Sequence, residues 1–373
     1  MGIDAPSFPA THDPRTNHPR TGDPRTGIRP ESRDNRPPEG PAPAALDVDI
    51  NRPELFQEAL RTLLLPDGTA DPAFQLHGPV AVQNRSRVFL MEASHYPAPV
   101  AIKAFFDPAT KRPEVAEAEA YFTALWQARE ISQNQPNLRI VQPLALLEPL
   151  GVVVMEWVEG PTLGQSILSG SLPTATDLVR KAGLWLATLH RSQRAEPRGL
   201  ETAAMMADLR ESAGKVSPRI ASYAAGVLDR LAASAADIAG QKVPASLLHG
   251  DFKPDNLIVH QDRLVGIDVE LCFVNAALND VAQFQNHLFL LLHDPRRFWH
   301  CRRAAVLMEA FEAGYCRDGA MTLPSRPLAW ARLCNALRLL MGQVSGRNWV
   351  KALAAEWQLR HLIRHLSANT QWR

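Results

Sequence analysis

His249-Gly250-Asp251-Phe252-Lys253-Pro254-Asp255-Asn256 is followed, after two short β-rich runs, by Gly266-Ile267-Asp268-Val269. The runs 257–260 and 264–269 flank the turn-like Gln261-Asp262-Arg263, which predicts a hairpin about two-thirds of the way along the chain. A lone His-x-Asp between a helix and a strand would be ordinary. Here a histidine, an aspartate and an asparagine at fixed offsets coincide with a second aspartate set between two apolar residues, and that combination points to chemistry.

The two segments resemble the kinase catalytic loop H-R-D-L-x-x-x-N and the metal-binding aspartate of D-F-G. The residue types suit phosphoryl transfer, which passes through a loose transition state and needs positioning and charge neutralisation more than a strong base. Asp251 can accept a hydrogen bond from an acceptor hydroxyl and aim it at the γ-phosphorus. Asn256 and Asp268 supply the hard oxygens that Mg²⁺ prefers. Lys253 stands two residues beyond the expected base, within reach of a γ-phosphate. His249 is expected to orient the loop rather than to move a proton.

Upstream, Val100-Ala101-Ile102-Lys103 matches the V-A-I-K run of the third kinase strand. Lys103 is expected to hold the α- and β-phosphates as a point charge on a rigid strand. In that arrangement a glutamate of the following helix orients the lysine, and Glu114, Glu117 and Glu119 compete for the role. Glu117 is favoured, because it shares a helical face with Tyr121, Ala124 and Leu125, whereas Glu119 falls with Thr123 and Gln127 on a more polar one. No G-x-x-x-x-G-K-[ST] loop occurs. The glycine-free turn Gln83-Asn84-Arg85-Ser86-Arg87 must then cover the phosphates, with Ser86 as a candidate contact. Met155-Glu156-Trp157 closes a strand just before Glu159-Gly160, where an adenine is expected to meet backbone groups, so Glu156 and Trp157 join the nucleotide-binding candidates.

Working outward, residues 53–65 have helical spacing, and a Pro-Asp-Gly turn follows at 66–68. Strand signals recur at 80–82, 88–92, 100–105, 140–147 and 152–158, with one amphipathic helix over 114–129. Beyond Glu159-Gly160-Pro161 the pattern turns mostly helical, plainest at 182–191, 203–213 and 222–239, and again over 280–373 with breaks at Asp294-Pro295 and near 324–327. The expected fold class is α+β and protein-kinase-like in two lobes. A small antiparallel-sheet lobe with one main helix covers 46–158, and a larger, mostly helical lobe covers 159–373. Residues 1–45 hold 10 of the 30 prolines and a degenerate repeat over 11–27, so they are expected to form a disordered tail.

Composition sets the outer limits. With 373 residues, 46% hydrophobic and 21% charged, the chain has ordinary globular proportions. Single cores stop growing at roughly 250–300 residues, which favours two lobes. A formal charge of +1 gives no global field that would select nucleic acid or a membrane surface as partner. Cys272, Cys301, Cys316 and Cys334 are too scattered for a CxxC metal site and too few for a disulfide scaffold. No apolar run approaches the roughly 18 residues of a membrane span, and residues 1–45 contain no apolar stretch of the kind a secretory leader carries. The cytoplasm is the expected compartment.

With these residues assembled, residues 75–295 resemble the aminoglycoside phosphotransferase and choline kinase-like family. The resemblance rests on the H-G-D-x-x-x-x-N loop, the apolar-Asp-apolar site at Asp268 and the Met155-Glu156-Trp157-Val158-Glu159-Gly160 hinge. It rests also on Asp280, which begins an apolar helix a dozen residues after Asp268. It implies a kinase that uses ATP or GTP with Mg²⁺ to phosphorylate a hydroxyl of a sugar, an amino alcohol or an aminoglycoside-like molecule. It also implies that Asp280 steadies the catalytic loop. Gly250 stands where protein kinases carry arginine, and no A-P-E follows, so the usual receiver of an activation-loop phosphate is missing. Lys253 replaces the histidine frequent in antibiotic kinases. A pseudokinase-type binding module and a protein kinase are the rival readings.

The acceptor is less legible. Residues 325–373 contain eight Lys or Arg against one acid, Glu356, a local excess of +7. Lining the acceptor cleft, such a surface would repel a cationic aminoglycoside, whereas an anionic or lipid-linked sugar, or a solvated basic helix, tolerates it. Glu270 could touch an acceptor amine or hydroxyl, or form a surface salt bridge.

Overall fold

The computed structural model describes residues 52–64, 71, 73–94, 96–271, 274–294, 300–317, 319, 321–343 and 349–369. The expected tail 1–45, the turn 66–68, Cys272 and Pro295 lie outside them.

Helix α1 (Pro53–Leu64) precedes strands β1 (Gln75–Val82), β2 (Ser86–Glu92) and β3 (Val100–Phe105), then helix α2 (Val115–Ser132) and strands β4 (Arg139–Ile140), β5 (Pro143–Leu147) and β6 (Val152–Glu156). Five of the strands form one antiparallel sheet in the order β1-β2-β3-β6-β5. Strand β3 is central and buried along its whole length. Its period-2 alternation sends Ile102 and Ala104 into a cluster with Phe56 and Leu60 of α1. The opposite parity sends Ala101 and Phe105 into a cluster with Tyr121 and Leu125 of α2. Lys103 shares that second parity, so the pleat itself delivers its side chain to the α2 side of the sheet.

The expected continuous strand over 140–147 is two strands in two sheets. The N–H of Val141 donates to the Gly266 carbonyl and that of Glu156 to Gln142, after which Pro143, without an N–H, opens β5. Strand β4 therefore leaves the five-stranded sheet and pairs in parallel with the later strand that ends at Gly266.

The chain crosses between lobes at 157–162. Gly160 has φ +145, and a Cβ there would lie 2.1 Å from the Val259 carbonyl oxygen, so this close approach requires glycine. Thr162 then caps α3 (Leu163–Ser169) in a reciprocal box with Gln165. The rest comprises α4 (Leu172–Ser192), β7 (Arg194–Gly199), α5 (Thr202–Ala213), α6 (Pro218–Ile238), β8 (Lys242–Leu247), β9 (Leu257–His260), β10 (Arg263–Gly266), β11 (Val274–Ala276), α7 (Leu278–Leu292), α8 (Ala304–Tyr315), α9 (Ser325–Gln343) and α10 (Trp349–Asn369). Strands β9 and β10 form the expected hairpin, with β4 beside β10. A second three-stranded sheet, β11-β8-β7, was not expected from the helical pattern. Each of its strands is short, and two contain proline, so their pairing is set by tertiary partners rather than by local propensity. One apolar cluster runs from Ala101 through Trp185 and Phe252 to Leu366, so the core is continuous across the crossover.

Candidate active site

Strand β8 leads directly into the loop at 249–256, and α7 holds that loop from below. Asp280, in the first turn of α7, is 1% exposed. Its carboxylate accepts from the N–H of His249 at 2.7 Å and from the N–H of Gly250 at 3.2 Å. The same carboxylate meets His190 Nε2 at 3.0 Å, and His190 Nδ1 meets the Tyr315 hydroxyl at 2.9 Å. Burial, followed by the charge of Asp280, pushes the Tyr315 phenol well above its ordinary range, so it stays protonated and donates to His190. Gly250 sits at φ +90, a conformation that lets consecutive amides converge on one carboxylate and that an arginine would not adopt.

His249 is wholly buried between Trp185 and Phe252, at ring distances of 5.8 and 5.3 Å. Burial lowers its pKa, so the ring is neutral, and its Nδ1 accepts the N–H of Asp251 at 3.3 Å. That geometry orients the loop and keeps the imidazole away from solvent.

Asp251 is the centre of convergence. Its Oδ2 accepts from Asn256 Nδ2 at 2.9 Å and is ion-paired with the Lys253 ammonium; its Oδ1 accepts from Gln283 Nε2 at 2.7 Å. Asn256 Nδ2 also donates to the Asp251 carbonyl, 2.9 Å away, which leaves the amide oxygen of Asn256 for another partner.

Asp268 follows β10 with φ +55, the left-handed region that non-glycine residues occupy mainly in turns and at functional sites. Its Oδ1 meets Lys103 Nζ at 2.6 Å and the Tyr121 hydroxyl at 3.1 Å, and its Oδ2 accepts from Gln83 Nε2 at 3.3 Å. Burial alone would raise the pKa of this carboxyl. The Lys103 ammonium, aided by the hydrogen bonds from Lys103, Gln83 and Tyr121, outweighs burial and holds it at about 2. The Lys103 ammonium also lies 4.1 Å from the centre of the Tyr121 ring.

Several expected residues stand differently. Glu117 faces Arg85 at 3.1 Å, not Lys103, so the expected Lys103–Glu117 pair is replaced by Lys103–Asp268 and Arg85–Glu117. The cause is steric order: Tyr121, one turn beyond Glu117 on α2, already covers the ammonium. Ser86 is buried, and its hydroxyl donates to Gln83 Oε1 at 3.0 Å, so it steadies the side chain that reaches Asp268. Glu156 pairs with Arg139 at 2.8 Å at the hinge, and Trp157 is half-buried beside it. Glu270 is placed by its N–H, which donates to the His249 carbonyl at 2.8 Å. The residue is exposed as a whole, while the protein around its carboxyl withdraws that group from water. Crowding by protein, then the negative charge of Asp251, raises its pKa to about 7. Gln83, Tyr121 and Gln283 were not expected. Gln283 lies three residues after Asp280 on the same helix, a spacing that could have flagged it.

The donor set suits Mg²⁺. An Asp268 carboxylate ionised at any neutral pH and a spare amide oxygen on Asn256 are hard ligands, and Mg²⁺ takes only one or two protein groups beside phosphate oxygens. Among the described residues no cluster of three or more His, Cys, Asp or Glu forms a metal site, which such sparse ligation does not require.

Comparison with known proteins shows the family and the fold. The model of the phosphotransferase enzyme family, APH, matches residues 80–322, and the chain belongs to that family. Its fold is similar to that of Plasmodium vivax ethanolamine kinase (TM-score 0.55, 11% identity, 84% of this chain and 89% of that one). It is similar as well to an amicoumacin kinase solved with AMP-PNP, Ca²⁺ and Ami (TM-score 0.54, 12% identity, 86% and 96%). A choline/ethanolamine kinase family protein from Mesorhizobium loti shares the fold too (TM-score 0.51, 17% identity, 85% and 98%). No curated protein matches the sequence.

Proposed function

We propose that this member of the phosphotransferase enzyme family moves the γ-phosphoryl group of ATP to a hydroxyl of a small-molecule acceptor, with Mg²⁺ as cofactor. What supports the reading most is a pair of polar clusters joined by a backbone bond. Asp251 gathers Lys253, Asn256 and Gln283, Asp268 gathers Lys103, Tyr121 and Gln83, and the N–H of Ile267, next to Asp268, donates to the Asn256 carbonyl at 3.0 Å.

In this mechanism Lys103 leaves Asp268 for the α- and β-phosphates, and backbone groups at Glu156 and Trp157 meet the adenine. Asp268 and the amide oxygen of Asn256 would hold Mg²⁺, which would supply neutralisation of phosphate charge. Asp251 Oδ1, fixed by Gln283, accepts the acceptor hydroxyl proton as that oxygen forms its bond to the γ-phosphorus and the bond to the ADP oxygen breaks. Lys253 shifts from Asp251 to the transferring phosphoryl oxygens. The test is ADP release by the full chain with Mg²⁺-ATP over a panel of amino alcohols, sugars and aminoglycosides. Acceptor-dependent turnover that Asp251→Asn abolishes is expected. A chain with no nucleotide-dependent thermal shift would sink the reading.

A further inference from the structure

The basic residues of the last two helices divide into two kinds. Arg326 pairs with Asp237 at 3.2 Å, Arg338 with Asp208 at 2.6 Å and Arg360 with Glu356 at 2.9 Å, while Arg364 is exposed. Arg347 and Arg373 lie outside the described residues.

Arg332 fits neither kind. It is half-buried on α9, and among the described residues no carboxylate stands within ion-pair distance of it. Its one side-chain bond runs from Nε to Asn286 Oδ1 at 3.2 Å, so both terminal nitrogens lack a partner among the described residues. Asn286 cannot turn toward them, because its Nδ2 is tied to the Arg332 carbonyl at 2.8 Å and to Asn335 Oδ1 at 2.9 Å. The acid whose charge is felt there, Glu312, already accepts from Gln285 at 2.8 Å. Burial pulls the guanidinium down to about 10, and the charge of Glu312 offsets that pull only in part. Such a charge costs stability unless an anion completes it.

Its surroundings fit a small ligand. His365 is kept neutral first by burial and then by the charge of Arg332, and its ring packs 5.0 Å from Phe289, which stacks on His293 at 3.7 Å. Neutral imidazoles and a phenyl ring present hydrogen-bonding and apolar surface. The position also adjoins the reaction centre. Gln283 bonds Asp251, and Asn286, which bonds Arg332, follows it by three residues on α7, about 4.5 Å along the helix axis.

We propose that Arg332 is a specificity-determining residue that takes an anionic group, a carboxylate, phosphate or sulfate, on the molecule whose hydroxyl reaches Asp251. The inference rests on the kinase reading above and names the class of its acceptor.

The experiment compares matched acceptors with the full chain, ATP and Mg²⁺: ethanolamine against serine, and glucose against glucuronate and glucose 1-phosphate. Wild type is expected to prefer an anionic member, and the carboxylate and phosphate arms tell which anion fits. Arg332→Gln should raise KM for that member about tenfold to a hundredfold, with kcat and KM for ATP nearly unchanged, and Arg332→Lys should recover part of the loss. Preference for the neutral members, or equal loss on both members in a variant of unchanged Tm, overturns the proposal. If Arg332→Gln does not fold, the wild-type preference decides. Where no acceptor is turned over, thermal shifts decide: selective stabilisation by an anionic member supports Arg332 and strikes only the kinase reading, and equal shifts overturn the proposal. Turnover of neutral members alone strikes Arg332 and leaves the kinase reading standing.

Discussion

Lys103 and Asp268, 165 positions apart in sequence, meet at 2.6 Å across the interlobe cleft and neutralise each other. Both are largely buried, at 5% and 16% side-chain exposure, so neither charge could stand alone without cost. The same two groups are those suited to phosphates and to Mg²⁺. In the proposed mechanism, nucleotide binding would exchange one compensated state for another, with the ion pair as a place-holder for the ligands.

Lys103→Met should expose that relationship. The variant loses its phosphate contact, and Asp268 keeps its burial but loses its ammonium, so its pKa climbs. Turnover is expected to fall about a hundredfold or more, and stability by about 3 kcal/mol, as is usual when one partner of a buried pair is removed. Adding Asp268→Asn should restore much of the Tm while leaving turnover lost. Additive destabilisation in the double variant would show that the two charges do not depend on each other.

Two carboxyls give opposite pH dependences. The folded pKa of Asp268, about 2, lies below the ordinary 3.8, so its stabilisation is full above pH 4 and is lost as pH falls toward 2. From a shift of about two units the contribution is about 2–3 kcal/mol. Glu270 runs the other way: its folded pKa of about 7 exceeds the ordinary 4.5, so folded protein holds a proton that the unfolded chain has released. Its effect is a loss of stability as pH rises from 4.5 to 7. Thermal melts should show Asp268→Asn flattening the acid limb, and Glu270→Gln raising Tm at pH 8 but not at pH 4.

Gln283→Leu tests the orientation of Asp251. With its 2.7 Å amide donor gone, Asp251 Oδ1 is free to rotate away from the acceptor. A fall of about tenfold to a hundredfold in kcat is expected, with KM for ATP unchanged, because the amide is bonded to Asp251 and not to Lys103 or Asp268. Steady-state kinetics at saturating ATP separates the two; a change in KM for ATP alone would place Gln283 in nucleotide binding.

The sequence disclosed contiguous chemistry and hid paired chemistry. Asp251, Asn256 and Asp268 stand in one short run, and Lys103 follows three apolar residues in a V-A-I-K match, so all four could be named from the sequence and the structure puts Lys103 on Asp268 and Asn256 on Asp251. Arg85 and Glu117, Gln83 and Asp268, and Tyr121 and Lys103 meet only through folding. Side-chain type alone favoured the wrong partner for Lys103, because nothing local reveals that Tyr121 covers the ammonium. The β11-β8-β7 sheet was hidden for a related reason: strands of three to six residues carry too few alternations to outvote the helical runs around them.

Two glycines, given the same substitution, should respond with opposite signs. Gly250 has φ +90, where a Cβ is strained, and its N–H is bound to Asp280. Gly250→Ala should cost about 1–3 kcal/mol and also lower kcat, since relaxing φ pulls the amide off Asp280 and shifts Asp251, the next residue. Gly226 lies within helix α6, and a Cβ there would meet nothing within 4 Å. Gly226→Ala should therefore raise stability by about 0.5–1 kcal/mol through reduced freedom of the unfolded chain, with turnover unchanged. Chemical denaturation and acceptor-dependent ADP release on both variants check the pair. Equal stability changes would mean that the backbone at Gly250 is not held in its left-handed state by Asp280, and that the loop owes its shape to other contacts.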